Sequence, residues 1–403
     1  MTFNVFNDDG SINRHKIEKE LFYDKDLKHR VSYIGSPKKE INALNFFKSY
    51  FSEAKSILFD SSNLAIKNKL ESLNIPEFDN NNRSENIFND KDFSFLYFTS
   101  GSTGFPVGAL KTKENLLSEI EVTTKFLNQY NIKRVIVTVP FVHLYGTLFG
   151  LLYPLLNNIE IIIKEHFLPN DLLDIIEKDS LVITTPLYIK SLNRVLENKD
   201  LSGSIFVTST APLMPDIAKE FNEKFNTDII QIFGSTETGG VAYKYNDDSF
   251  WTPMQKVEIS KNEKEELKVD SPFISNLLYE NDFKTTNHQI QMFDYIEIEN
   301  GKFRLLGRSS QILKIAGKRY STIQIENILE EVEEIEKALV NVKRESNHLK
   351  EELLCITLEA KKEFSLKEIK NILKKEFTNQ NFAIELKYVD KIKVSSIGKK
   401  LLI

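Results

Sequence analysis

Short apolar runs recur through the middle of the chain and alternate with segments of helical spacing. Runs that are apolar on both faces are typical of strands buried in a parallel sheet, and helices between them supply the crossovers. The pattern therefore predicts an α/β layered fold with a mainly parallel sheet. The predicted strands are Phe93–Phe98, Arg134–Val139, Ile159–Ile163, Leu181–Thr184, Ile205–Val207 and Ile229–Phe233.

The two ends of the chain follow other patterns. Residues 39–69 carry helical spacing, and the polar run 79–86 indicates a surface loop. After about Leu306 the pattern predicts a compact α+β unit, the size of a small domain. We expect a large N-terminal domain over 1–306, a hinge at 307–310 and a small mobile C-terminal domain over 311–403. The elements predicted for the small domain are strands Gln311–Lys314, Ala338–Val342 and Leu353–Leu358 and helices Ile323–Ile335 and Leu366–Phe377.

Composition narrows the class of protein. Among 403 residues, 53 Lys and Arg oppose 58 Asp and Glu, which gives a net charge of −5 and excludes a strongly basic nucleic-acid binder. Cys355 is the single cysteine, and the six histidines lack zinc-ligand spacing. The amino terminus lacks the features of a secretory signal, and the apolar stretch Tyr145–Leu156 is too short to cross a bilayer. We expect a cytoplasmic protein without a membrane span.

A glycine- and hydroxyl-rich segment follows the first of the predicted strands. It reads Thr99-Ser100-Gly101-Ser102-Thr103-Gly104-Phe105-Pro106-Val107-Gly108 and precedes a helix predicted over 113–130. Glycines let a backbone approach an anion closely, and hydroxyls add donors, so the segment suits a phosphate group. An ordinary Ser/Thr/Gly turn would have the same composition.

Three further segments carry candidate chemistry. Phe233-Gly234-Ser235-Thr236-Glu237-Thr238-Gly239-Gly240 ends a strand, where ligands of open α/β sheets gather, and its carboxylate suits Mg²⁺ bridging phosphates. A helix-capping turn is the alternative. The segment 307–319 is rich in basic residues and is also compatible with a solvated turn. Gly398-Lys399 near the end means little by itself.

In this order and spacing, the segments resemble the adenylate-forming superfamily of acyl-CoA synthetases, luciferases and nonribosomal-peptide adenylation domains. The first resembles that family's phosphate loop, Phe233–Glu237 its aromatic-Gly-x-Thr-Glu motif, and Pro140–Gly146 a motif that shapes the acyl pocket. Asp294, which precedes the Gly-Arg at Arg308, and Gly398-Lys399 complete the pattern. The resemblance covers the chain from about Phe93 to its end.

The resemblance implies a role for each matched residue in ATP-dependent activation of a carboxylic acid. The phosphate loop, with Thr99, Ser100, Gly101, Ser102, Thr103 and Gly104, would hold the β- and γ-phosphates of ATP. Thr236 and Glu237 would serve the α-phosphate and Mg²⁺, and Lys399 would neutralise charge during adenylation. Phe233 and Gly234 would line the adenine and acyl pockets, Asp294 would accept the ribose hydroxyls, and Arg308 would contact ribose or phosphate. The substrate pocket would include His143, Tyr145, Gly146 and Ala211.

The chain departs from the family pattern in places. Val107 replaces the loop lysine, a place that Lys111 or Lys113 could fill, and Ser310 replaces the hinge acid. The loop also begins early, which predicts a shortened N-terminal part over 1–90.

Some segments look most like those of compact AMP ligases of carrier-protein pathways, such as the ligases that make aryl polyene lipids. The segments are Phe233–Tyr243, Trp251–Pro253, Leu305–Arg308 and Lys314–Arg319. That likeness implies a fatty or aryl acid, loaded onto the phosphopantetheine thiol of an acyl carrier protein or coenzyme A. No Asp or Glu occurs over 134–158, so we expect amino acids to be rejected. A non-catalytic nucleotide-binding relative and a ligase with a non-thiol acceptor remain the alternatives.

Overall fold

The computed structural model of the protein describes residues 1–79, 84–99, 107–308, 312–315, 318–344, 352–376, 383–394 and 400. The chain divides into two compact units. One comprises Met1–Ile259 and Val269–Ile290, and the other comprises Ser260–Lys268 and Gln291–Ile403. Residues 309 and 310 of the predicted hinge lie outside the described residues, and the domain limits remain a prediction.

The strands are numbered in chain order. The first half contains β1 (Thr2–Phe6), β2 (Ile12–Lys16), β3 (Val31–Ile34), β4 (Lys55–Leu58), β5 (Phe95–Phe98), β6 (Gly108–Lys111), β7 (Arg134–Val137), β8 (Glu160–Lys164), β9 (Ser180–Thr184), β10 (Ile205–Thr208), β11 (Ile229–Ser235) and β12 (Gly239–Tyr245). The second contains β13 (Thr252–Pro253), β14 (Glu258–Lys261), β15 (Glu266–Asp270), β16 (Leu277–Tyr279), β17 (Phe283–Thr285), β18 (Gln289–Glu299), β19 (Lys302–Arg308), β20 (Ile312–Ile315), β21 (Lys318–Ser321), β22 (Ile335–Arg344), β23 (Glu352–Ala360) and β24 (Ile384–Tyr388).

The helices are numbered in the same way. They are α1 (Lys19–Phe22), α2 (Lys39–Phe51), α3 (Leu64–Ser72), α4 (Lys113–Leu127), α5 (Leu144–Thr147), α6 (Tyr153–Leu156), α7 (Pro169–Ile175), α8 (Pro186–Asn193), α9 (Pro215–Phe225), α10 (Thr322–Glu330) and α11 (Leu366–Glu376), with a 3₁₀ turn at Lys25–Leu27 and a π-helical turn at Leu148–Leu152.

The largest sheet of the first unit confirms the predicted α/β class. Its strand order is β13-β12-β11-β10-β9-β7-β8-β1-β2. The strands from β11 to β1 in that order run parallel, and β2, β12 and β13 are antiparallel additions at the edges. The strands from β7 to β10 are buried along nearly their whole length, which explains their continuous apolar runs.

A second sheet of the same unit carries the start of the predicted phosphate loop. Its order is β17-β16-β6-β5-β4-β3, with β3, β4 and β5 parallel and the rest antiparallel. Helix α4 follows β6 directly and begins with a capping box, in which Thr112 and Asn115 satisfy each other's backbone amides. The predicted loop joins β5 to β6 at one end of this pair, beside Phe98 and Gly108, and α4 leaves from the other end, after Lys111.

The helical spacing over 39–69 corresponds to two helices with a strand between them. Helix α2 ends at Phe51, β4 forms over Lys55–Leu58, and α3 begins at Leu64. Glu53 adopts a positive φ of 54°, which reverses the chain, and the apolar residues of β4 are needed between β3 and β5 of the sheet. Strand pairing therefore overrides the local helical pattern.

The second unit combines small sheets with two helices. Most of it consists of a sheet ordered β14-β15-β18-β19, the hairpin β20-β21 and a sheet ordered β22-β23-β24. Helices α10 and α11 pack on the last sheet through Ile325, Leu329, Ile369 and Leu373, all fully buried. The alternating strand-helix pattern predicted after Leu306 matches these elements, although α10 ends at Glu330 rather than at Ile335.

Candidate active site

The base of the predicted phosphate loop is closed by backbone hydrogen bonds. The Thr99 amide donates to the Val107 carbonyl at 2.9 Å, and the Val107 amide donates to the Thr99 hydroxyl at 3.3 Å. Phe98 and Gly108 pair across β5 and β6. Thr99 therefore lies beside Val107 at the base of the predicted loop, while Ser100, Gly101, Ser102, Thr103 and Gly104 lie outside the described residues.

Thr236 and Glu237 occupy a hairpin turn between β11 and β12 rather than a helix cap. Inside the turn, the Ser235 amide donates to the Thr238 hydroxyl at 2.9 Å, and the Thr238 amide donates to the Ser235 hydroxyl at 3.2 Å. At Gly234 a Cβ would lie 2.1 Å from the Gly239 carbonyl oxygen, so only glycine fits. The shape of the turn therefore depends on Gly234 and on the hydroxyl groups of Ser235 and Thr238.

The turn leaves the Glu237 carboxylate available. The Glu237 carbonyl accepts hydrogen bonds from the Ser275 amide and from Lys111 Nζ, both at 3.0 Å. Within the described part of the chain, the carboxylate of Glu237 makes no hydrogen bond or ion pair, although its charge favours the ionised form of Lys111, and its side chain is half-buried. A fixed backbone with an uncommitted carboxylate fits a Mg²⁺ ion that keeps its other ligands from phosphate and water.

The aromatic residue of this motif packs on a tryptophan. The rings of Phe233 and Trp251 are 5.6 Å apart at a tilt of 51°, and Lys244 Nζ lies 5.1 Å from the Trp251 ring centroid. Tilted aromatic pairs at this distance add packing energy beyond the area that they bury. The half-buried Phe233 ring therefore has a fixed neighbour on the β12 side of the motif.

Three of the predicted acyl-pocket residues, His143, Tyr145 and Gly146, lie at the start of α5. The Tyr145 hydroxyl lies 2.7 Å from the Val207 carbonyl of β10 and 3.1 Å from the Thr184 carbonyl, which ends β9. At Gly146 a Cβ would lie 2.2 Å from the Pro140 carbonyl oxygen. Tyr145 therefore contributes its ring to this region, while its hydroxyl is committed to the sheet.

The pKa of His143 responds to the charge of Asp60, a residue that sequence reasoning did not connect with it. Burial lowers the pKa of His143, and the charge of Asp60, in the loop after β4, acts in the opposite direction. The acid-free stretch over 134–158 is thus complemented by an acid from the amino-terminal part of the chain. The absence of acids over 134–158 therefore does not exclude an anionic partner for the ammonium group of an amino acid.

A strained residue precedes Ala211 at the carboxyl end of β10. Thr210 has a φ of 81°, which is rare for a β-branched residue and costs about 1–3 kcal/mol. Its hydroxyl is buried and has no hydrogen-bond partner among the described residues. Ser209 beside it donates to the Ile232 carbonyl at 2.8 Å, and Ala211 itself is exposed. Sequence reasoning missed this feature because no local signal marks a positive φ at threonine.

In the second unit, β18 and β19 bring the other predicted nucleotide residues together. Asp294 and Arg308 are direct partners in the antiparallel ladder, and Asp294 is buried. The turn between these strands contains Gly301, whose φ of 77° favours glycine. Residues separated by a hairpin in sequence thus meet at one ladder position.

The predicted catalytic lysine, Lys399, lies outside the described residues, but the next residue is described. Lys400 Nζ donates to Glu326 at 2.8 Å, to Glu330 at 2.6 Å and to the Ala338 carbonyl at 2.7 Å. The two carboxylates also accept the amides of Val340 and Ala338. Lys400 is therefore anchored on α10.

The described residues contain neither a cluster of metal ligands nor a membrane-crossing helix. Among them, no group of three or more His, Cys, Asp or Glu residues is arranged to hold a metal ion. None of the helices seen in these ranges has the length and apolar character that crossing a membrane requires.

Two curated relatives with similar sequences are CoA ligases. The chain is 27% identical over 239 residues to a 4-coumarate–CoA ligase of Cereibacter sphaeroides, covering 58% of this chain and 53% of that one. It is 27% identical over 184 residues to a long-chain-fatty-acid–CoA ligase of Bacillus subtilis, covering 43% and 31% respectively. The chain thus spans about half or less of the length of these curated relatives.

A solved structure extends the likeness in fold. The o-succinylbenzoate CoA synthetase of Bacillus subtilis, in complex with its acyl-adenylate intermediate, superposes with a TM-score of 0.80 at 15% identity, covering 98% of this chain and 93% of that one. The family model described as AMP-binding enzyme matches residues 29–267, more than half of the chain. The chain therefore belongs to the AMP-binding enzyme family, within the adenylate-forming superfamily.

Proposed function

We propose that this protein activates a carboxylic acid with ATP and transfers the acyl group to a thiol. In the first step a carboxylate oxygen attacks the α-phosphorus, the bond between the α-phosphorus and the bridging oxygen breaks, and pyrophosphate leaves. In the second step a thiol sulfur attacks the acyl carbon, AMP leaves, and the thiol proton passes to solvent. The observation that carries the proposal is the Glu237 carboxylate on a fixed turn, without a hydrogen bond or ion pair among the described residues, in a chain of this family.

Residues of the first unit would bind the triphosphate and the metal ion. The loop that begins at Thr99 would hold the β- and γ-phosphates with amides and hydroxyls, and Thr236 would donate to the α-phosphate. Glu237 would hold Mg²⁺, which when bound neutralises phosphate charge. Phe233 and Gly234 would line the nucleotide and acyl pockets.

The residues of the second unit would bind the sugar and stabilise the transition state. Asp294 can accept both ribose hydroxyls, because a carboxylate offers two oxygens. Arg308, its ladder partner, would contact ribose or phosphate. Lys399 would offset the charge that develops between the carboxylate and the α-phosphate.

A fatty or aryl acid is the substrate class that we propose. His143, Tyr145, Gly146 and Ala211 would border it, and the helical turns that follow are buried and apolar at Leu148, Phe149, Leu151 and Leu152. An apolar lining suits acids without a second charge. The named activities of the curated relatives, on 4-coumarate and on long-chain fatty acids, are of this kind.

For the acceptor we propose a phosphopantetheine thiol, with an acyl carrier protein preferred over coenzyme A. The test is product analysis with a labelled fatty or aryl acid, ATP and Mg²⁺, offered either coenzyme A or a phosphopantetheinylated carrier protein. We expect AMP and pyrophosphate, not ADP and phosphate, and label on the carrier protein. Efficient transfer to coenzyme A with none to any carrier protein would contradict the preference. ADP as the nucleotide product would contradict the reaction itself.

A further inference from the structure

Two charged side chains, Lys111 and Glu119, lie beneath the turn that bears Glu237. Lys111, the last residue of β6, is fully buried, and Glu119, on α4, is 2% exposed. Neither is part of the motifs by which the chain resembles its family. Charged residues are almost never this buried unless other groups satisfy them.

Lys111 ties two segments of backbone together. Its Nζ donates to the Glu237 carbonyl at 3.0 Å and to the Phe273 carbonyl at 2.6 Å. Close by, Asn115 donates to the Pro272 and Ile274 carbonyls, and the Ser275 amide donates to Glu237. The segment 272–275 and the Glu237 turn are thus held at one place by side chains of β6 and α4.

Glu119 fixes the other end of the same turn. Its Oε1 accepts the Gly240 amide at 2.7 Å. At Gly239, whose φ is 73°, a Cβ would lie 2.4 Å from Glu119 Oε2, so the carboxylate occupies the space that a side chain would need. Glu237 is therefore anchored at its own carbonyl by Lys111, and the chain is anchored again by Glu119 three residues later.

This arrangement is costly as a source of stability alone. Removing two charges from water costs several kcal/mol per ion, and apolar residues of similar volume often serve equally well. Burial lowers the pKa of Lys111 and raises that of Glu119, and the charge of each favours the ionised form of the other. What an apolar pair could not supply is a donor aimed at the Glu237 carbonyl and an acceptor aimed at the Gly240 amide.

These contacts also bear on the missing loop lysine. Val107 stands where the family has a lysine, and the sequence offers Lys111 or Lys113 as a substitute for it. The ammonium group of Lys111 instead donates to two backbone carbonyls inside the protein. Lys113 is exposed, with Nζ 3.9 Å from Glu53 and 5.9 Å from the Tyr50 ring centroid. Lys111 is therefore committed to the turn rather than to the phosphate loop.

We propose that Lys111 and Glu119 are positioning residues, which hold the turn so that the Glu237 carboxylate meets the magnesium–nucleotide complex without reorganising. This inference rests on the proposed function, because it assigns Glu237 to Mg²⁺. It adds a determinant of metal affinity that lies behind the site and touches neither nucleotide nor metal. A preorganised ligand spends less of its binding free energy on ordering.

The test compares binding of AMP without metal with binding of ATP as Mg²⁺ is titrated, by calorimetry. The variants are Lys111→Met, which keeps length but removes the donors, and Glu119→Gln, which keeps an acceptor but removes the charge. Lys113→Met is the matched control, because it removes an exposed lysine two residues away. We expect Lys111→Met to raise the Mg²⁺ concentration for half-saturation about tenfold or more, Glu119→Gln to raise it by less, and Lys113→Met to leave it unchanged.

Affinity for AMP separates positioning from a general structural role. We expect it to stay within about twofold in every variant, since AMP binding needs no metal ligand. Equal losses for AMP and for the magnesium complex, or an unchanged Mg²⁺ requirement in Lys111→Met, would overturn the inference. If circular dichroism shows that Lys111→Met does not fold, Glu119→Gln carries the same test with the same criteria. Wild-type ATP binding that ignores Mg²⁺ would instead contradict the proposed function, and this inference with it.

Discussion

Asp294 and Arg308 stand opposite each other in the β18–β19 ladder, so that a buried carboxylate and a basic residue share one position of the second unit. The pairing follows from a hairpin whose turn contains Gly301. A carboxylate held on a strand cannot swing away as a loop residue can. It therefore has the fixed geometry that accepting two neighbouring hydroxyls requires.

We predict that Asp294→Asn weakens AMP binding about 10- to 100-fold, because a charge-assisted hydrogen bond contributes about 1.5–3 kcal/mol. The amide keeps the shape but loses the charge and one acceptor. Calorimetry with AMP measures the effect, and the exposed Glu297 of the same strand, changed to Gln, is the control. Wild-type affinity in Asp294→Asn would remove this residue from the nucleotide site.

The valine of the phosphate loop gives a second prediction. Lys111 is committed to backbone carbonyls and Lys113 lies beside Glu53, so neither fills the place of Val107. Val107→Lys should lower the ATP concentration for half-maximal adenylation by roughly two- to tenfold, through a charge-assisted phosphate contact. Val107→Met controls for side-chain length. An effect as large in the methionine variant would show that packing, not charge, is responsible.

His143 gives a prediction about pH. Because burial lowers its pKa, the unfolded chain binds more protons at this residue than the folded protein does, over the range between the folded pKa and about 6.5. The contribution of His143 to stability is therefore present above that range and is lost as the pH falls through it. Urea unfolding at pH 7.5, 6.5 and 5.5 should show wild type losing more stability on acidification than His143→Gln.

The control for this measurement is His166→Gln, which removes an exposed histidine. We expect its stability to fall with pH in parallel with wild type. Parallel curves for wild type and His143→Gln would mean that the His143 side chain is as readily protonated in the folded protein as in the unfolded chain.

Lys399 gives a prediction about the two half-reactions. Loss of one preorganised stabiliser of transition-state charge costs on the order of 10²–10³ in rate. Lys399→Ala should slow adenylation by at least that factor, while thioester formation from supplied acyl-adenylate survives. The exposed Lys393, changed to Ala, is the control. Equal slowing of both half-reactions would refute the assignment.

The parallel core could be predicted from the sequence because its strands are apolar on both faces. Strands β7 to β11 match the predicted runs to within a few residues. The amino-terminal strands were missed for a physical reason. In β2, no residue is fully buried and most residues are polar, so the segment Ile12–Lys16 has no apolar run to reveal it. Its pairing with β1 is a long-range property that local pattern does not encode.

Local sequence motifs identify some residues of the candidate site. Residues that join the site only through packing cannot be identified from such motifs. Motifs select Thr236, Glu237 and Asp294, whose roles remain a prediction. The sequence does not single out Glu119 and relates Lys111 only to the place of Val107, because charged residues beside an amphipathic helix usually face solvent. Only the folded chain brings them under the turn from residues more than a hundred positions away in sequence.

The most direct test of the central claim is exchange of labelled pyrophosphate into ATP, measured with a panel of carboxylic acids. It reports the first half-reaction alone and needs no acceptor. We predict Mg²⁺-dependent exchange with fatty or aryl acids, abolished or strongly reduced in Glu237→Gln, and little with amino acids despite the charge of Asp60 near His143. Exchange with no acid in the panel would contradict adenylate formation, and exchange confined to an amino acid would contradict the proposed substrate class.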